Sequence, residues 1–298
     1  MTLSPRSLGA GSIDAPAKIN VTLEILARRD DGYHNLRSLM LPIALSDEVR
    51  WEPAKRFQFE GESRNLVARA FQALGIEPPL AVSLHKRIPI GAGLGGGSSD
   101  AAAVLRAAAA GAFGDDVSHD RDYLAIARSL GSDVPFFLVE TGALVEGTGE
   151  RVTAAGALPD WWVVVLVPPA AVSTVQAYAA LDEARAGGYE SRPRNAAASL
   201  AALEALQRAD FDAVLAAGVN DFEAVIAPRE PQVAAALAAL RDAGAKRPML
   251  SGSGSATFAL APTRDAAEAL AAGIALPRGA RVHVVPLAHS PAWRRAQG

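Results

Sequence analysis

Pro89-Ile-Gly-Ala-Gly-Leu-Gly-Gly-Gly-Ser-Ser-Asp-Ala101 decides how the chain is read. Strand-like residues 81–88 run into it, five glycines fall within residues 91–97, and an alanine-rich helix former, residues 98–110, follows. Without Cβ atoms, main-chain N–H groups can close on an oxygen. The first N–H groups of a helix also lack partners inside it and lie at the positive end of its dipole. Such backbone receives an anion, and a triphosphate fits. A plain strand-to-helix turn, with Ser98 or Ser99 as N-cap, would need far fewer glycines.

Three familiar phosphate arrangements fail on this sequence. The P-loop needs Gly-Lys-Ser/Thr, but Lys18, Lys55, Lys86 and Lys246 follow Ala17, Ala54, His85 and Ala245. Gly91, Gly93 and Gly96 satisfy G-x-G-x-x-G. A dinucleotide fold, however, also needs a second strand ending in an acid about 20 residues on. Asp115 and Asp116 instead follow Gly111-Ala-Phe-Gly114, with no apolar strand before them. His-Arg-Asp and Asp-Phe-Gly, the protein-kinase signatures, are absent.

Outward from the loop, strands and helices alternate. Residues 17–26 and 48–59 carry strand spacing, the latter through Val49, Trp51, Phe57 and Phe59, while Leu66, Val67, Ala70, Phe71 and Leu74 repeat at helical spacing up to Gly75. Residues 123–130 predict a helix stopping at Gly131. Glycine-containing turns over residues 142–160 separate this half from a buried strand at 161–167, which places a domain boundary near 155. Beyond it the spacing predicts helices at 175–184, within 199–217, and at 231–243. Strand-like residues 249–261 around a Ser-Gly insert, a helix at 264–272 and a strand at 282–285 follow. The fold class is therefore α+β: an N-terminal mixed sheet-helix domain, 1–155, and a C-terminal α/β sandwich domain, 156–298. The alanine runs have no fixed period and suit close-packed helix faces.

Composition narrows the function classes. Half the 298 residues are hydrophobic and 20% charged, enough for a sizeable core. Against 32 acids stand 29 lysines and arginines, a net charge of −3, which argues against a nucleic-acid backbone binder. The absence of cysteine excludes disulfides, thiolate metal sites and a cysteine nucleophile, and suits the cytoplasm. Residues 1–15 lack a secretory apolar run, and residues 161–167 stop at Pro168-Pro169, so neither export nor membrane anchoring is expected.

The loop from Pro89 to Ser99 resembles the Pro-x-x-x-Gly-Leu-Gly-(Gly)-Ser-Ser motif of the GHMP kinases. Its triple glycine is similar to that of the 4-diphosphocytidyl-2-C-methyl-D-erythritol kinases of the non-mevalonate isoprenoid pathway. Four further segments agree in order: Ala15-Pro-Ala-Lys-Ile-Asn20 with Asp31-Gly-Tyr-His-Asn35, Gly131-Ser-Asp-Val-Pro-Phe136, Asn220-Asp-Phe-Glu223, and Leu250-Ser-Gly-Ser-Gly254. The resemblance implies a two-domain GHMP kinase fold and ATP-dependent phosphorylation of the substrate's 2-hydroxyl. The alternatives are a GHMP kinase for another alcohol, such as homoserine or mevalonate, and a catalytically silent nucleotide-binding module. A Rossmann oxidoreductase is more distant.

Phosphoryl transfer to an alcohol needs a held triphosphate, an aligned hydroxyl, charge relief and a proton acceptor. The resemblance assigns the triphosphate to Pro89, Gly91, Gly93, Leu94, Gly95, Gly96, Gly97, Ser98 and Ser99. It makes Asp133 the base. In isolation Asp133 would be an ordinary turn residue. Lys18, in isolation a snorkelling surface residue, becomes the group that keeps the carboxylate ionised and offsets transition-state charge. Asn20, on the same strand face as Lys18, orients substrate or carboxylate. Tyr33 and His34 hold the cytosine, Tyr178 adds a second aromatic wall, and Gly252, Ser253 and Gly254 form a substrate-side loop. Mg²⁺ arrives with ATP, since no acidic or histidine cluster has the spacing of a metal cage. Ser99, by analogy, and Asp100, through water, are the expected contacts, and no metal site is assigned. Residues 186–194 match nothing recognisable.

Overall fold

The computed structural model describes residues 9–61, 65–114, 121–189 and 197–297. The chain divides into two compact units, discontinuous in sequence. One takes in residues up to Ala17, Ser46–Ile88 and Gly95–Leu138, and the other Lys18–Leu45, Pro89–Leu94 and the chain from Val139 onward. Strands β1 (Gly11–Asn20) and β3 (His34–Pro53) contribute residues to both.

In the first unit, β5 (Leu80–His85) pairs antiparallel with the second half of β3, setting Trp51 opposite Val82, and β4 (Gln58–Phe59) lies parallel to β5. Helix α1 (Leu66–Leu74) starts where the Asn65 side chain accepts from Val67 N–H at 2.8 Å, and ends at Gly75 in the left-handed region. Its buried Val67, Ala70, Phe71 and Leu74 recur every three or four residues, one face of a helix. The Phe71 ring centroid lies 4.9 Å from that of Phe57 and 5.0 Å from that of Phe113, a contact set whose truncation to alanine would cost about 3–5 kcal/mol. Helix α2 (Gly96–Ala109) packs on α1 with Ala101, Ala102 and Ala103 fully buried; side chains this small allow close approach. Helix α3 (Tyr123–Leu130) is capped by Asp122, which accepts from Ala125 N–H at 2.9 Å.

In the second unit, β2 (Thr22–Arg28) pairs antiparallel with the first half of β3 and parallel with β9 (Val219–Asn220). Strand β6 (Ala143–Gly147) pairs with β3, and β7 (Arg151–Ala154) with β6. A separate antiparallel sheet has the order β10 (Met249–Leu250), β11 (Thr257–Ala261), β8 (Trp162–Val167), β12 (Arg281–Pro286). Helices α8 (Pro231–Asp242) and α9 (Arg264–Ala272) cover it through Ala236, Leu240 and Ala267 against Val164, Leu166 and Ala259. Helix α4 (Thr174–Ala186) and α7 (Glu223–Ile226) share a second cluster, where Leu181 and Phe222 meet Leu23, Ile25 and Leu237. Helices α5 (Ala198–Gln207), α6 (Phe211–Ala217) and α10 (Pro291–Gln297) complete the unit.

Several expectations are corrected. Helix α2 begins at Gly96 with Gly95 as its N-cap at φ 71°, so neither Ser98 nor Ser99 caps it. The turn-rich segment 142–160 holds the β6–β7 hairpin, and residues 34–47, read as no element, form the first part of β3. That stretch escapes strand periodicity because Ser38–Ile43 are buried in succession rather than alternately. Strand β1 starts at Gly11, ahead of the strand-like stretch 17–26, and most of 186–194 lies outside the described residues.

Candidate functional site

The glycine loop is anchored by its carbonyls. Ala92 O accepts from Ala256 N–H at 2.9 Å, Gly93 O from the Ser251 hydroxyl at 3.0 Å, and Leu94 O from Lys18 N–H at 2.9 Å. Gly91, Gly93 and Gly95 all have positive φ, 70°, 76° and 71°, which turns successive peptides without side-chain strain. Among the described residues, no N–H from Gly91 to Ser98 donates to a protein acceptor. With carbonyls pinned and amides free, the segment has the donor set that a phosphate group requires. Ser99 Oγ is buried without a partner among the described residues. Gly93 has a second role, because a Cβ there would stand 2.1 Å from Ser251 O.

Lys18 is 4% exposed, not a snorkelling surface residue, and its ammonium donates to Asn20 Oδ1 at 2.5 Å. Asn20 Nδ2 donates in turn to Ser38 Oγ at 2.9 Å, and Ser38 to Thr22 O at 2.5 Å. A Cβ on Gly252 would lie 3.1 Å from Lys18 Nζ and 3.2 Å from Gly93 O. Lys18, Asn20, Gly93 and Gly252 thus form one cluster. The Ser-Gly loop is clamped by Asn220, whose Nδ2 donates to Leu250 O and Gly252 O, both at 2.8 Å, while Glu223 accepts from Leu250 N–H at 3.0 Å. Ser253 Oγ lies 3.0 Å from Thr174 Oγ1. The Asn220-Asp-Phe-Glu223 motif, given no role by the sequence, is the mount of this loop.

Asp133 belongs to the other unit, half-buried in the turn that follows α3, where Val134 N–H donates to Gly131 O at 3.2 Å. A helical turn, Pro135–Leu138, starts two residues later. Below the first turn of α2, Lys86 donates to Asp100 Oδ2 at 2.8 Å and to Asp47, while Asp47 accepts from Arg87 N–H at 2.5 Å and Ile88 N–H at 2.8 Å. Sequence reasoning missed this network because Lys86 and Asp47 are ordinary surface types. The one available signal was Lys86 three residues before Pro89.

Tyr33 is 67% exposed in the Arg29–Tyr33 turn, its N–H donating to Asp31 at 3.1 Å. His34 opens β3, buried, with its ring stacked on Tyr178 at 5.0 Å and 20°. Tyr178 stands edge-on to Phe222 at 4.9 Å. The structure therefore brings His34 and Tyr178 together. Among the described residues no group of three histidine or acidic side chains could hold a metal ion, and no helix is long and apolar enough to cross a membrane.

A glycine loop leading into a helix on a mixed α/β scaffold is shared with the GHMP kinases, and the family matches assign the chain to them. Residues 65–141 match the GHMP kinases N terminal domain and residues 202–276 the GHMP kinases C terminal family. The chain is 41% identical to the 4-diphosphocytidyl-2-C-methyl-D-erythritol kinase of Deinococcus radiodurans, over 88% of this chain and 87% of that one. It is 40% identical to that of Symbiobacterium thermophilum, over 85% and 92%. A crystal structure of 4-(cytidine 5'-diphospho)-2C-methyl-D-erythritol kinase aligns with TM-score 0.74 and 37% identity, covering 93% of this chain and 99% of that one. Homoserine kinase from Cytophaga hutchinsonii shares the fold at TM-score 0.68 and 19% identity, over 97% of this chain and 98% of that one. The chain belongs to the 4-diphosphocytidyl-2-C-methyl-D-erythritol kinase family.

Proposed function

We infer that this protein is an ATP-dependent kinase that phosphorylates the 2-hydroxyl of 4-diphosphocytidyl-2-C-methyl-D-erythritol. The observation that carries the nucleotide half is the loop of free amides over pinned carbonyls at residues 91–98. Kinship to kinases of this name, together with the His34–Tyr178 pair, carries the acceptor half.

In the roles we propose, the N–H groups of Gly91, Gly93, Leu94, Gly95, Gly96, Gly97 and Ser98 hold phosphate oxygens, with Pro89 ending the incoming strand and the Ser99 hydroxyl adding a donor. ATP, with Mg²⁺ screening its charge, supplies the phosphoryl group. Asp133 accepts the proton of the acceptor hydroxyl, and Lys18 offsets the charge that builds as the phosphoryl group moves. Asn20 fixes the Lys18 ammonium through the 2.5 Å bond. Gly252, Ser253 and Gly254 approach the substrate without bulk, and Tyr33, His34 and Tyr178 receive the cytosine. A division of the sequence near residue 155 is supported by the two matched segments, 65–141 and 202–276, lying on either side of it, while the compact units change over at Leu138 and Val139 and draw residues 18–45 and 89–94 into the second. Absence of cysteine and the small net charge support a cytoplasmic enzyme acting on a small molecule.

The test is ADP release from Mg-ATP with the cytidyl substrate, homoserine and mevalonate offered separately. Release with the cytidyl substrate alone is expected. Turnover of homoserine or mevalonate at a comparable kcat/KM would replace the acceptor assignment, and no turnover of any would leave a nucleotide-binding module.

A further inference from the structure

One helical turn of α4 presents two side chains to the same histidine. Tyr178 stacks under the His34 ring, and Asp182, four residues on, places Oδ1 2.8 Å from His34 Nε2. Residues four apart share a helix face, so this double contact is built into α4 rather than a chance of loop geometry. His34 and Asp182 are 148 residues apart in sequence, and no motif links them. Among the described residues Arg28 is the other charged group at this carboxylate, its Nη1 at 4.0 Å from Asp182 Oδ2, a distance that makes His34 the closer partner.

A carboxylate accepts and does not donate, so the proton of a neutral imidazole facing it must sit on Nε2. Nδ1 then keeps its lone pair, and among the described residues it has no hydrogen-bond partner. A base lying edge to edge with this ring would share its layer over Tyr178, because the imidazole is within 20° of parallel to the tyrosine. Cytosine presents an amino donor at its 4-position, and uracil presents a carbonyl acceptor there. We propose that Asp182 is a specificity-determining positioning residue: by holding the His34 proton on Nε2 it keeps Nδ1 an acceptor, which selects a 4-amino base over a 4-oxo base. The inference rests on the proposed seating of cytosine at Tyr33, His34 and Tyr178. Asp182 touches no substrate in this role and acts through His34 alone.

Asparagine can either accept from the ring or donate to it, so Asp182→Asn frees the tautomer at nearly constant volume. The experiment compares kcat/KM for the cytidyl substrate and its uridine analogue in the wild type, Asp182→Asn and Asp182→Glu, with KM for ATP measured alongside. The expected result is a cytidine-to-uridine ratio that falls about tenfold or more in Asp182→Asn, with KM for the cytidyl substrate raised, kcat and KM for ATP held, and the ratio recovered in part by Asp182→Glu. Nitrogen-15 NMR of histidine-labelled wild type, with the His34 signals identified by their loss in His34→Gln, should show the proton on Nε2. A wild-type protein that does not discriminate the two analogues would remove the cytosine reading itself. Discrimination that is unchanged in Asp182→Asn, or a wild-type His34 protonated on Nδ1 alone, would overturn the role of Asp182 and leave the cytosine reading standing.

Discussion

The Lys86 ammonium donates to Asp100 across 2.8 Å, and both side chains lie in the unit that carries the first turn of α2. A Cβ on Gly96 would come within 3.2 Å of that ammonium, so the glycine loop and the ion network constrain each other. Burial pushes Asp100 up to about 7, against the pull of the Lys86 ammonium and with a further push from the Asp47 carboxylate. The folded chain therefore holds a proton that the unfolded chain releases above about 4. The contribution of this carboxyl to stability falls as pH rises from about 4 to about 7 and is level above that. Lys86→Met strands two buried carboxylates and should cost about 3–5 kcal/mol at pH 8. The loss should be smaller at pH 5, where one carboxyl takes up a proton. Urea midpoints at the two pH values check this, and equal losses would contradict it.

Asp133→Asn should lower kcat by about 10²–10⁴-fold while the fold and the affinity for ATP persist, the size expected for loss of a positioned base. Single-turnover phosphoryl transfer with saturating substrate gives the measurement. Near-normal turnover would remove Asp133 from the chemistry. Lys18→Met should show a similar fall in kcat.

Two glycines of the loop should part company. A Cβ at Gly93 meets Ser251 O at 2.1 Å, whereas one at Gly91 meets nothing within 4 Å, although both have positive φ. Gly91→Ala then carries only the left-handed backbone penalty of about 1–2 kcal/mol. Gly93→Ala adds a backbone collision and should raise KM for ATP much further. Thermal melts and ATP titrations on the pair would distinguish these outcomes, and equivalent behaviour would deny the close approach a role.

Tyr33→Ala should leave folding intact, given its 67% exposure, and raise KM for the cytidyl substrate by about 1–3 kcal/mol in free-energy terms, the worth of one base stacked on an aromatic ring. The KM for ATP should not move. An unchanged KM for the cytidyl substrate would shift the acceptor toward alcohols without a base.

Helices were legible where the signal is local. Leu66–Leu74 and Tyr123–Leu130 were read from apolar spacing and from the glycines that stop them, Gly75 and Gly131, whereas the caps that start these helices, Asn65 and Asp122, emerge only from the structure. The glycine loop was legible because so many glycines have one economical explanation. Lys18 and His34 stood out only through the motifs around them, since buried lysines and histidines look like surface residues in a one-dimensional string. Asp182, Lys86 and Asn220 were not legible as functional, because the groups that give them meaning, His34, Asp47 and Gly252, lie 148, 39 and 32 residues away. The β6–β7 hairpin was hidden by Gly147 and Gly149, whose turn chemistry masked the short strands on either side.

Because Ala92, Gly93 and Leu94 hand their carbonyls to Ala256, Ser251 and Lys18, the glycine loop is not a portable cassette. A chimera that grafts residues 89–99 from a distant kinase would inherit glycines whose dihedral angles depend on a scaffold of hydrogen-bond donors it has left behind. Residues 250–256 and the strand carrying Lys18 would have to travel with it, so sequence exchange among such enzymes is confined to blocks that are contiguous in space and scattered along the chain.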